Sequence, residues 1–126
     1  DVVRYTFQIP IEMYKDGVID ILDKLRKMGY QIIDVKNNWD EKHYKGINAV
    51  IETLDGYKFE VQFHTQQSYL TKEDYTHDYY EIKRARKFNK YVTDEIRDKA
   101  DEIQKKYQLL VSIPDGIINF KYLGGN

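Results

Sequence analysis

The chain has 126 residues, is 41% hydrophobic and contains no cysteine, which leaves room for one modest core and excludes disulfides, thiolate zinc sites and a cysteine nucleophile. Its 20 Lys+Arg nearly cancel 21 Asp+Glu, for a net charge of -1, so bulk charge argues for neither a nucleic-acid coat nor a membrane surface, and any basic site must be local. No apolar run approaches the roughly 18 residues that span a bilayer, and no signal segment opens the sequence, so a soluble protein is expected.

Residues 2–8, VVRYTFQ, are β-branched and aromatic and stop before Pro10, as a strand does. A strand opening straight after Asp1 leads us to expect a single domain, 1–126, cut from a longer polypeptide. In YKDGVIDILDKLRKMG, Val18, Ile21, Leu22, Leu25 and Met28 recur on a helical period, and Gly29 follows a basic last turn as a stop. YQIIDVK, residues 30–36, reads as a second strand, and NNWDEKH as a polar loop.

YKGINAVIETLDGYKFEVQFHT, residues 44–65, reads as a hairpin. Asp55-Gly56 predicts a two-residue turn with positive φ at both positions. That turn pairs Leu54 with Tyr57 and sets Ile51 opposite Glu60, Ala49 opposite Gln62 and Ile47 opposite His64, all on one face. The other face then carries Val50, Leu54, Tyr57, Phe59, Val61 and Phe63 for burial against helices, with Asn48 turned away from Glu60.

After Thr65 the pattern turns helical and rich in tyrosine, and a further helix is expected over about 90–106, from Ile96, Ala100, Ile103 and Tyr107. SIPDGIINFKYLGGN holds a Pro-Asp-Gly turn and a short apolar run suited to a last edge strand. The order β-α-β-β-β-α-α is that of an α+β domain with a mixed sheet of four or five strands around the hairpin, flanked by helices.

Glu60, Gln62 and His64 form the candidate site. An outward Glu on an amphipathic strand is ordinarily just solvated. A carboxylate, an amide and an imidazole pointing the same way instead suit a metal-bound polyphosphate or a sugar hydroxyl. Tyr44 stands at the mouth of the hairpin between Lys42 and Lys45, and reads either as a rim aromatic or as a ring on which a purine stacks while ammonium groups meet its phosphates. Lys36 and Arg4 add to such a local basic field. His77 with Glu73 and Glu81 has metal-like spacing but fits a surface ion pair better, and the RARK run at 84–87 suits a solvated helix end. No glycine-rich phosphate loop, nucleophile elbow or Ser/His/Asp set is present.

HYKGIN, then FEVQFHT, then KEDYTHDYYEIKR resemble the synthetase domain of RelA/SpoT-type alarmone synthetases. The resemblance is strongest to a compact, toxin-like branch reading Asp-x-x-Arg-Tyr-Thr early, Tyr-Lys-Gly-Ile-Asn in the middle and Glu-x-Gln-x-His-Thr later, and it runs from Asp1 to about Arg86. It implies a nucleotidyltransferase-like fold and a magnesium-dependent nucleotide 3′-pyrophosphokinase. Such an enzyme moves the β,γ-pyrophosphate of ATP to the 3′-hydroxyl of a purine nucleotide or, in some toxin relatives, modifies the 3′ end of tRNA.

By matching position, Glu60 is the metal-binding catalytic carboxylate and Asp1 the second magnesium ligand. Tyr44 stacks on the acceptor base, and Gln62, His64 and Lys36 support the acceptor or its phosphates, with Lys45 and Arg4 in the surrounding basic field. His77 matches a packing and positioning residue. The resemblance further implies action in the cytoplasm, the chain's own or that of a target cell, and no membrane partner. Two alternatives stand beside it: a catalytically silent module that binds a nucleotide or RNA end, and an interaction domain docking through its tyrosine-rich helix.

Overall fold

The computed structural model describes residues 3–72 and 93–124. Its elements are β1 (Val3–Gln8), a 3₁₀ turn (Ile11–Met13), α1 (Tyr14–Lys27), β2 (Gln31–Asn37), β3 (Ile47–Glu52), β4 (Lys58–His64), α2 (Gln66–Thr71) and α3 (Asp94–Leu109). The strands form one mixed sheet in the order β1-β4-β3-β2, with β1 parallel to β4 and the other neighbours antiparallel. The expected α+β architecture is present, with four strands among the described residues.

The hairpin departs from the expected register by one residue. Ile47 pairs with Phe63, Asn48 with Gln62, Ala49 with Val61 and Val50 with Glu60. The cause lies in the turn: Thr53 N–H donates to Tyr57 C=O, Gly56 N–H donates to Thr53 C=O, and Gly56 alone has positive φ, at 88°. This is a three-residue loop, a turn closed by a left-handed glycine, rather than a two-residue turn that would also put Asp55 at positive φ.

Because side chains alternate across a strand, a slip of one residue exchanges the partners on each face. Ile47, Ala49 and Ile51 therefore join Val61 and Phe63 in the core, all at most 1% exposed, and Val50 moves to the face of Glu60. Leu54 and Tyr57, expected inside, are exposed at the loop.

Helix α1 covers the apolar face through Tyr14, Val18 and Leu22, with Ile21 and Leu25 partly buried beside them. Met28, predicted on that stripe, is the C-cap and is exposed, since the helix has already ended. Trp39, read as part of a polar loop, is fully buried. Its indole N–H donates to Tyr14 Oη at 2.9 Å, and Tyr14 donates to the Phe63 carbonyl at 2.5 Å. This chain ties the loop to helix and sheet while satisfying every polar atom in it.

The C-terminal run is not a fifth strand among the described residues. The Asn37 amide donates to the carbonyls of Ile117 at 2.7 Å and Phe120 at 3.2 Å. Buried Ile117 anchors the segment, while Tyr122 Oη donates to Asp23 of α1 at 2.6 Å. Backbone groups that a ladder would need are thus occupied by a side chain. No helix among the described residues is long and apolar enough to cross a membrane.

Candidate active-site face

The second face of the sheet is polar, and the register lines it up in rows across the strands. Thr6, Gln62, Asn48 and Lys36 form one row, and Arg4, Glu60, Val50 and Asp34 the next. Asn48, expected to turn away, lies directly beside Gln62 without needing a bulge. Helix α2 closes one end of the face and leaves the other open: His64 is 0% and Gln62 4% exposed, whereas the Glu60 side chain retains 27%.

Glu60 meets Arg4 on the neighbouring strand. Both Nε, at 2.9 Å, and a terminal guanidinium nitrogen, at 2.8 Å, approach the same oxygen, Oε2. A half-exposed pair of this kind contributes little to stability, on the order of 0 to 1 kcal/mol. Its consequence is positional: the carboxylate is held toward one side.

The Tyr44 hydroxyl donates to Asn48 Oδ1 at 2.8 Å and lies 2.9 Å from His64 Nε2, with the two rings edge to face. With its one proton committed to Asn48, the phenol oxygen accepts from Nε2–H. On the other side of the ring, Nδ1 lies 2.8 Å from Ser68 Oγ, whose hydroxyl also stands 3.2 Å from the Thr65 carbonyl. Ser68 is itself fixed by the capping box that starts α2, in which Thr65 Oγ accepts from Ser68 N–H and Ser68 Oγ accepts from Thr65 N–H. Burial first, and the nearby Lys72 ammonium second, push the His64 pKa down to about 4, so the ring is neutral and serves as one donor and one acceptor. Tyr44 therefore lies on the Glu60 face with its hydroxyl anchored inward.

The remaining expected residues separate. Gln62 accepts from Lys72 Nζ at 3.1 Å, and Lys36 is exposed on the same face at the β2 edge. Lys45 turns into the protein: its ammonium donates to the carbonyls of Trp39 at 3.0 Å and Glu41 at 2.8 Å, and burial lowers its pKa. Its placement is that of a loop brace, away from the phosphate role read from the sequence. Asp1 and His77 lie outside the described residues, as do the RARK run and most of the tyrosine-rich segment. Among the described residues no three His, Cys, Asp or Glu side chains come close enough to hold a metal ion.

Lys72 was missed by sequence reasoning. It reaches Gln62 and lies 5.8 Å from the centre of the Tyr69 ring. A signal was available, since Lys72 follows Ser68 by one helical turn and so shares the sheet-facing side of α2.

No family model matches this sequence, and no curated protein matches it. Solved structures are similar in fold. The small alarmone synthetase 2 from Bacillus subtilis aligns with a TM-score of 0.50 and 17% identity, over 82% of this chain and 60% of that one. This is an alarmone-synthetase fold. A GTP pyrophosphokinase family protein from Streptococcus pneumoniae aligns at 0.48 and 19%, over 82% of this chain and 52% of its own. The small alarmone synthetase 1 from B. subtilis, solved with its product pppGpp, aligns at 0.44 and 16%, over 84% and 55%. The alarmone-synthetase fold here thus spans little more than half the length of the proteins it aligns with.

Proposed function

We propose that this domain transfers pyrophosphate from ATP to the 3′-hydroxyl of a purine nucleotide. The observation that carries the reading is the sharing of one sheet face by Glu60, the anchored Tyr44 ring and the cations Arg4, Lys36 and Lys72. Transfer of this kind asks a protein mainly for positioning and charge neutralisation, with no covalent nucleophile. The acceptor 3′-oxygen bonds to the β-phosphorus of ATP, the bond from that phosphorus to the α,β-bridging oxygen breaks, and AMP leaves with the electron pair. The Glu60 carboxylate takes the proton of the 3′-hydroxyl. Tyr44 offers its ring to the acceptor base, while Lys36 and Arg4 meet phosphates.

Magnesium fits this donor set in a limited sense. It commonly keeps several waters and takes one or two carboxylates plus substrate phosphates, and Glu60 has one oxygen outside its contact with Arg4. Glu60, with Asp1 as the second acid expected from the sequence, would hold the ion, which supplies neutralisation of phosphate charge.

The test is conversion of radiolabelled ATP and GTP, GDP or their adenine counterparts to a pyrophosphorylated nucleotide plus AMP. Glu60→Gln is expected to lower turnover by roughly 100-fold or more; equal turnover in the variant refutes the assignment. Nucleotide binding without turnover is the second reading, favoured by the Arg4 contact on Glu60, and a tRNA 3′ end as acceptor is separated by adding tRNA to the same assay.

A further inference from the structure

We infer that His64 is a positioning residue that acts through Tyr44, fixing the angle at which that ring is offered to a nucleotide base; the inference rests on the nucleotide reading above. A buried imidazole on this face was expected to touch the acceptor or its phosphates. Its surroundings argue otherwise, since both ring nitrogens are taken up by the protein, Nε2 by Tyr44 and Nδ1 by Ser68, and the side chain has no exposed surface.

Tyr44 is half-buried, and its hydroxyl is the only polar handle that can orient it. Two anchors from different elements converge on that one atom, Asn48 from β3 and His64 from β4. Two directional contacts fix both the position of the phenol and the rotation of the ring, whereas one leaves the ring free to swing. Helix α2 is part of the device: Ser68 orients His64, so the start of the helix is coupled to the ring 4 residues before β3's Asn48.

Gly46 supplies an independent observation. A Cβ there would stand 2.8 Å from His64 Cε1 and 3.1 Å from the Tyr44 oxygen. The backbone therefore runs against the tether at a point where any side chain would push its two halves apart. The groups facing His64 are Tyr44, Ser68, Tyr69 and the Lys72 ammonium, with no carboxylate among those contacts.

The experiment measures GTP and ATP affinity by calorimetry, together with steady-state kinetics, in Tyr44→Phe, His64→Leu, His64→Gln and the double variant Tyr44→Phe/His64→Leu. Losing a buried hydrogen bond to the ring corresponds to about a tenfold weaker acceptor affinity. Tyr44→Phe and His64→Leu are expected to cause similar losses that do not add in the double variant, with acceptor KM raised and the ATP KM unchanged. His64→Gln, which restores a donor, recovers most of the affinity. Gly46→Ala, with all tether residues intact, reproduces the loss, while Tyr44→Phe, which keeps the ring and removes only the anchored hydroxyl, guards against a folding failure of the buried His64 variants. Additive losses, or affinity unchanged in His64→Leu while the wild-type chain binds, overturn the inference alone. No binding of either nucleotide by the wild-type chain overturns the nucleotide reading and the inference with it.

Discussion

The neutral, buried state of His64 makes folding stability depend on pH. In the unfolded chain this imidazole protonates near its ordinary value of 6.5, whereas in the fold burial and Lys72 push that down to about 4. Between these values the unfolded state binds more protons, so stability falls as the pH is lowered. The loss begins near pH 6.5, is about 2 kcal/mol by pH 5 and levels off at about 3 kcal/mol below pH 4. Above pH 6.5 this contribution is fully present.

Trp39 is the one tryptophan of the sequence and is buried, so its fluorescence reports urea unfolding directly. With a slope of about 2 kcal/mol per molar urea, the midpoint should drop by about 1 M between pH 7.5 and pH 5. Carboxylates elsewhere also respond to acid, so the comparison that isolates the imidazole is His64→Gln, whose curve lacks this component. If the wild-type and His64→Gln midpoints run parallel from pH 7.5 to pH 4.5, or if the His64 ring titrates near 6.5 by NMR, the account of its burial is wrong.

Lys45→Met, which keeps the hydrocarbon stem, should lower the melting temperature because two loop carbonyls lose their donor, yet leave GTP affinity unchanged; a matching loss of affinity would return the residue to the ligand site. Gly56→Ala forces a side chain into positive φ and is expected to cost about 1 kcal/mol or more, read as a shift in the urea midpoint, with no shift if the turn re-forms as a two-residue loop. Trp39→Ala removes a fully buried ring and the donor to Tyr14 and should destabilise by about 3 to 5 kcal/mol, measured by far-ultraviolet circular dichroism in urea. Arg4→Gln should change stability by less than about 1 kcal/mol, since the pair is half-exposed; a large loss would mean that the Arg4–Glu60 contact is structural.

Local signals were enough for most of the described elements, though not for the C-terminal run, which was read as a strand. The spacing of Val18, Leu22 and Leu25 specifies α1 and the alternation of KFEVQFH specifies β4, because a 3.6-residue or 2-residue period records which side of an element meets a core; VRYTFQ specifies β1 through its β-branched and aromatic composition, although all six of its residues stay exposed. The alternation in β4 likewise put Glu60, Gln62 and His64 on one face before any partner was known. What alternation within one strand cannot say is which residues of the next strand lie beside it. That depends on loop geometry, and Asp55-Gly56 is compatible with both a two-residue turn and a three-residue loop with glycine at its end. The φ angles in the folded loop decided it, and with them Asn48 and Val50 joined the Glu60 face.

The same limit applies wherever a side chain's role is set by residues distant in sequence. Lys45 looked like a phosphate cation because it flanks Tyr44, but it is buried and its ammonium donates to two carbonyls of the preceding loop. Trp39 looked like part of a polar loop, and became core only because its indole meets Tyr14, 25 residues before it, which is itself bonded to the Phe63 carbonyl on β4. His64 carried the right chemistry in the sequence, while its burial, its neutral state and its hold on Tyr44 exist only once α2 folds down on the sheet. Periodicity is a property of neighbours along the chain and survives in the sequence; register, burial and hydrogen-bond partnership belong to pairs brought together by folding, and those pairs determined this site.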